Sequence, residues 1–195
     1  MSWRLMVKCG RASADTFVKK SAMKTIAIAL LLALSRSAAP QPAHENPTES
    51  VRQETTKQVK MKTMETQSMQ VVREFLTAVQ QGNQVKLGSL IHPNIEWSQP
   101  GNNRFSGTKK SSGEVFQMVG GMYAASENSL ALTDIKVLTA NGNSVACLVH
   151  WKAVQPNGGI LDVDNIDVYT VENGQIVKAK VYSADVAQED NFWLK

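Results

Sequence analysis

Leu161-Asp162-Val163-Asp164-Asn165-Ile166-Asp167-Val168-Tyr169-Thr170-Val171-Glu172-Asn173-Gly174-Gln175-Ile176-Val177-Lys178-Ala179-Lys180-Val181-Tyr182-Ser183 is the stretch that decides the fold. Two alternating runs flank a Glu-Asn-Gly turn, the pattern of a β-hairpin. Side chains alternate faces along a strand, so the register decides which residues share a face with Asp167. A two-residue turn at Asn173-Gly174 would pair Asp167 with Lys180 and bury Lys178 and Lys180 with Leu161 and Val163. A three-residue loop, Glu172-Asn173-Gly174, pairs Asp167 with Ala179, Asn165 with Val181 and Tyr169 with Val177, and turns both lysines out. The second register is the expectation. It places Leu161, Val163, Asn165, Asp167, Tyr169, Val171, Val177, Ala179, Val181 and Ser183 on one face, with Asn165 and Asp167 as polar residues in an apolar wall. A buried carboxylate is costly unless hydrogen-bonded or protonated, so Asp167 marks either a satisfied core network or a functional pocket.

Upstream, the period is again 2 over residues 129–140, 144–155 and 160–171, separated by Asn141-Gly142-Asn143 and Pro156-Asn157-Gly158-Gly159. Before residue 129 the pattern is helical. Met69, Val72, Phe75, Leu76 and Val79 recur at helical spacing and stop at Gly82; a shorter helix spans 84–91. A short strand, 95–99, carries Ile95, Trp97 and Gln99 on one face. Ser111-x-x-Glu114 is a capping box for a third helix with Val115, Phe116, Val119, Met122 and Tyr123. The order predicts an α+β domain over 66–195: three N-terminal helices on one face of an antiparallel sheet whose other face is exposed or paired. The apolar tail Asn191-Phe192-Trp193-Leu194 must pack, either as a lid on a pocket or in a dimer.

Residues 1–43 read differently. Lys19, Lys20 and Lys24 precede an apolar run over 25–34, with small residues at Ser35, Ser37, Ala38 and Ala39: a secretory signal peptide and leader, with Met23 as an alternative start. The run is too short for a bilayer span, so no permanent membrane anchor is expected. The implied localisation is secreted or periplasmic. Residues 44–65 are polar without an apolar face and read as a flexible linker.

The chain's formal charge of +4 belongs to the leader. Residues 1–43 hold seven Lys+Arg and one acid (+6), and residues 44–195 hold fourteen and sixteen (−2). The domain therefore lacks the electrostatic footprint of a nucleic-acid binder. Cys147 is the only cysteine beyond the leader, so no internal disulfide is available, and its alternation with Val145, Val149 and Trp151 makes it a buried apolar residue. His92 and His150 are isolated, and neither a metal nor a cofactor is called for. His150 shares a face with Ala146, Leu148 and Lys152, the outer one.

The order of elements, with Val72-Arg73-Glu74-Phe75-Leu76 before Gly82, His92-Pro93-Asn94-Ile95-Glu96-Trp97, Gly107 before the third helix, and Glu172-Asn173-Gly174-Gln175-Ile176 leading to Tyr182, resembles the SnoaL-like branch of the nuclear transport factor 2-like superfamily. The resemblance implies a curved antiparallel sheet wrapped by the helices into a cone around one pocket, a small and mostly apolar ligand, and a homodimer through the outer sheet face. Relatives include ketosteroid isomerases, polyketide cyclases, epoxide hydrolases and silent binding modules, so the fold alone does not settle the chemistry. By this resemblance Asp167 falls on the protonated acid of ketosteroid isomerase, but Phe75 stands in place of its tyrosine and Ser98 or Gln99 in place of its base. Asp185 is a counterpart of the polyketide cyclase acid/base, with no histidine to assist it. Epoxide hydrolase chemistry needs an arginine that the last three strands lack. The candidate catalytic residues are Asp167 and Asp185; the candidate ligand contacts are Trp97, Gln99, Asn102, Tyr123, Asn165 and Tyr169. Two functions stay open: acid/base catalysis of the cyclase, isomerase or hydratase type, and non-catalytic binding or dimeric interaction.

Overall fold

The hairpin register differs from expectation in an instructive way. In the computed structural model, Glu172 pairs with Gln175 across a two-residue turn in which Asn173 and Gly174 both have positive φ, 49° and 78°. That turn type twists with the strands and favours Asn-Gly. It would bury the lysines, but Val177 is an extra residue: Val171 pairs with Ile176 and Thr170 with Lys178, so a β-bulge resets the facing. Asp167 therefore pairs with Val181, Asn165 with Ser183 and Tyr169 with Ala179. Asp167 faces inward and both lysines outward, as expected, but Ile176 rather than Val177 joins the buried face.

The structure describes residues 47–194, and its elements are α1 (Pro47–Gln80), α2 (Gln84–Leu90), β1 (Ile91–Gln99), β2 (Gly107–Lys109), α3 (Ser112–Ala125), β3 (Ala131–Asn141), β4 (Ser144–Val154), β5 (Ile160–Glu172), β6 (Gln175–Ser183) and α4 (Val186–Trp193). The leader over 1–43, Met23 and residues 44–46 lie outside the described residues. From Pro47 onward the expected flexible linker is instead the first half of α1. Its side chains are almost all exposed, which is why an apolar stripe was missing. Its Lys, Gln, Met and Glu residues are good helix formers, Pro47 suits a first turn, and Glu49 complements the helix dipole there.

The six strands form one sheet in the order β2-β1-β6-β5-β4-β3. It is mixed rather than antiparallel, because β1 runs parallel to β6. Two bulges in β3, at Thr133 and Lys136, and a register shift in β1 accompany the one at Val177. Bulges bend strands and increase twist, and so curve a sheet around whatever lies on its concave side. That side receives α1, which packs on β3, β4 and β5, and α3, which packs on β1. Val72, Leu76, Ile95, Val115, Val145, Val149 and Ile176 are fully or almost fully buried between them. The capping box holds with a shift of one residue: Ser111 Oγ accepts from Glu114 N–H, while Glu114 Oε2 accepts from the backbone N–H of Lys110.

The apolar tail is part of α4, an element not anticipated. Asp185 caps it by accepting from Gln188 N–H at 2.8 Å. Phe192 and Trp193 bury themselves, Trp193 edge-on to Phe105 at 5.4 Å. The 100–106 loop is tied to the same helix: Asp190 Oδ1 accepts from the backbone N–H of Asn102 at 2.7 Å and from Asn103 Nδ2 at 2.8 Å.

Candidate functional site

Between the sheet and the helices lies a cavity of about 900 Å³ with a mostly apolar lining. Alternation along β5 turns Asn165, Asp167 and Tyr169 toward it, β1 contributes Trp97 and Gln99, and α3 contributes Tyr123. Six of the eight residues expected in a site therefore line one cavity. The other two do not. Asp185 is the exposed cap of α4, and Asn102 is an exposed loop residue whose amide is spent on Asp190.

The polar end is built around Asp167, which is 3% exposed. The Tyr169 hydroxyl donates to its Oδ2 at 2.9 Å, and its Oδ1 has no partner. Burial pushes the Asp167 carboxyl up to about 7; the hydrogen bond from Tyr169 works against this and the negative charge of Glu189 adds to it. Tyr169 is pushed well above the ordinary phenol range, chiefly by burial and then by Asp167, so it remains a donor. Its ring is fixed by Phe75 at 5.4 Å and Trp97 at 6.1 Å. Phe75, lacking a hydroxyl, thus serves as packing for a tyrosine that stands elsewhere. Trp97 Nε1 donates to Gln99 Oε1 at 3.2 Å, which orients the amide at the cavity wall.

Sequence reasoning missed the second acid. Glu189, from α4, is 3% exposed and lines the same cavity. Burial raises its pKa, while hydrogen bonding to Ser183, Asn165 and Gln99 draws it back. Asn165, the other polar residue of the inward face of β5, thus associates with Glu189. The available signal was helical spacing: Glu189 lies three and four residues before Phe192 and Trp193, so all three share a face once the tail is read as a helix. Trp151 and Trp193 also line the cavity.

Chemically, a carboxyl near neutrality in its proton affinity can give or take a proton at physiological pH, and a buried neighbouring tyrosine can hold it in place. Among the described residues no group of three or more His, Cys, Asp or Glu is placed to hold a metal ion. Cys147 is buried on β4 and its thiol is pushed up to about 12, mainly by burial and then by Asp167. His150 lies on the outer face, with Nδ1 2.5 Å from Asp164 Oδ1 and Nε2 2.8 Å from Asp162 Oδ1.

A profile of the SnoaL-like domain matches residues 72–179, more than half of the chain. The chain belongs to the SnoaL-like family. A protein of unknown function with a cystatin-like fold from Xanthomonas campestris is 34% identical, with a TM-score of 0.63, covering 66% of this chain and 98% of its own. A nuclear transport factor 2-like protein of unknown function from Burkholderia pseudomallei has a TM-score of 0.59 at 20% identity, covering 66% of this chain and 98% of its own. Among curated proteins, an uncharacterised protein of Mycobacterium tuberculosis is 25% identical over 125 residues, 64% of this chain and 95% of its own length. In this SnoaL-like chain the matched region ends at Ala179, before α4, so Glu189 and Trp193 stand on a segment outside the family match.

Proposed function

We propose that this SnoaL-like domain binds a small, mostly apolar molecule in its cavity and uses Asp167 as an acid/base group in a reaction of the cyclase, isomerase or hydratase type. The observation that carries the reading is the Asp167 carboxyl itself, buried, bonded to Tyr169 on one oxygen, free on the other, and raised to about 7. A proton held at that affinity passes readily in either direction at neutral pH, where general acid/base catalysis is most effective. The apolar walls supply binding through burial of the ligand body, and the polar end orients it. Asp185 drops out of the catalytic set, because its carboxylate is occupied at the start of α4.

The test is Asp167→Asn. The amide keeps the size and the hydrogen bond from Tyr169 but holds no transferable proton. Turnover should be lost while ligand binding persists, and undiminished turnover would remove Asp167 from the mechanism.

A second reading, a dimeric binding module without turnover, is favoured by the outer sheet face. Ile166 and Tyr182 are paired neighbours there, 50% and 47% exposed, and Leu148 lies opposite Ile166 on β4. Homodimerisation through this stripe would cover it. Light scattering of the wild type against Ile166→Glu decides the point, since the charge would dissociate such a dimer. Export is proposed from the leader, and N-terminal sequencing of the mature protein tests it.

A further inference from the structure

The polar end of the cavity holds unpaired acceptors and, among the described residues, no positive charge. Asn165 Oδ1, Asp167 Oδ1 and Glu189 Oε1 are each buried without a hydrogen-bond partner. Their side chains belong to residues 5%, 3% and 3% exposed, and all three residues line the cavity. Among the described residues that line it there is no Lys, Arg or His. A carboxyl oxygen can escape this condition by taking up a proton and becoming a donor. The amide oxygen of Asn165 cannot, because it accepts at every pH. A ligand that presents a carbonyl or a carboxylate here would leave Asn165 Oδ1 unpaired, and a carboxylate would also meet two acids. A ligand with several N–H donors on one charged centre meets all three oxygens.

We propose that the molecule taken by this cavity is an apolar amine, its protonated nitrogen seated among Asp167, Glu189 and Asn165 and its hydrocarbon body against the aromatic wall of Trp97, Trp151 and Tyr169. The proposal rests on the reading of the cavity as a small-molecule site and names the chemical class that site selects. A cation between two carboxyls removes their mutual repulsion and lets both ionise, as an isolated like-charged pair does not. The electron-rich ring faces add to the attraction for a desolvated cation.

Among the described residues, the groups that share this end come from several elements. Tyr169 neighbours Asp167 on β5, Cys147 faces it from β4, and Glu189 from α4. Glu189 meets Ser183 on β6, Asn165 on β5, Gln99 on β1 and Asp190 in its own helix. α1 and α2 bring no charged side chain to the lining, and α3 brings Tyr123 as its only titratable group. None of these described groups supplies a competing cation. Amine binding must therefore displace protons from the carboxyls wherever they hold them, which ties affinity to pH.

Three probes of one shape separate the possibilities: 1-adamantanamine, 1-adamantanol and 1-adamantanecarboxylate, titrated into the full chain with fluorescence of the cavity tryptophans as readout. The amine should bind, the carboxylate should not, and the amine should bind about tenfold more tightly near pH 8 than near pH 6, following ionisation of a carboxyl with a pKa of about 7 while the amine stays protonated. Calorimetry in two buffers of different ionisation heat should report proton release on binding of the amine alone. Asp167→Asn should flatten the pH dependence to the part that belongs to Glu189, and Glu189→Gln should weaken the preference for amine over alcohol. Equal affinity for alcohol and amine near pH 8, or amine binding without proton release, overturns the proposal in the wild-type protein, whatever the variants do. Binding of the alcohol with rejection of the amine would overturn it and leave the cavity standing as a ligand site. Failure of all three probes to bind would count against the cavity reading itself.

Discussion

Tyr169 donates its phenolic hydrogen to Asp167 at 2.9 Å from two positions further along the same strand. Residues i and i+2 of a strand share a face, so this pair needs no long-range placement to meet, only a register that turns the face inward. The Val177 bulge supplies that register.

Because the bond from Tyr169 lowers a pKa that burial raises, Tyr169→Phe should drive the Asp167 carboxyl above about 7. Carboxyl-carbon NMR titration of both proteins measures this directly. A midpoint that falls, or does not move, would break the assigned relationship.

Asp167 also sets a pH dependence of stability. Its folded pKa of about 7 lies above the ordinary 3.8, so the folded state binds the proton more tightly and stability falls as pH rises from about 4 to about 7. The fully developed penalty is on the order of 4 kcal/mol, present above pH 7 and absent below the unfolded value. Urea melts across this window should show the decline, and Asp167→Asn should flatten the part that belongs to this residue.

Cys147 should be inert to iodoacetamide in the native protein at neutral pH. The nucleophile is the thiolate, and burial with the nearby Asp167 charge holds the thiol at about 12. Modification should appear only with unfolding, and rapid native labelling followed by mass spectrometry would contradict the buried placement.

Deleting Val177 removes the bulge and keeps the Asn173-Gly174 turn, so Thr170 still meets Lys178, Val168 still meets Lys180, and both lysines stay on the outer face. A register that kept Val177 and paired it with Thr170 would instead set Lys178 opposite the buried Tyr169, and burying two unpaired ammonium groups costs more than the stability of a typical domain, about 5–15 kcal/mol. The deletion should therefore keep a cooperative thermal transition by circular dichroism, and loss of that transition would contradict the assigned register.

Gly101→Ala should loosen the junction between the 100–106 loop and α4. Gly101 has φ +87°, a conformation that L residues rarely adopt, and an added Cβ would approach Asp190 Oδ1 to 2.3 Å. Asp190 would have to leave Asn102 and Asn103, at a cost of roughly 1–3 kcal/mol. Chemical denaturation measures the loss, and increased hydrogen exchange at the Asn102 amide locates it.

Local chemistry made much of this protein legible. Alternation over 129–183, the Asn-Gly and Asn-Gly-Asn turns, and the Ser111 capping box act over a few residues, and so gave the strands, the helices and the inward face of Asp167. Helix formation in 47–65 was hidden, because a solvated helix carries no apolar stripe and its backbone bonds close within the segment. The β1–β6 pairing was hidden because parallel neighbours meet only after a long crossover and leave no turn signature. The sequence by itself determined that β5 presents Asn165, Asp167 and Tyr169 on one face, since a strand's period is fixed by its backbone. Only the tertiary structure decided what that face meets. α4 folds back with Glu189 and Trp193 because Phe192 and Trp193 gain more from burial than from water, and that docking is what puts a second carboxyl beside the first.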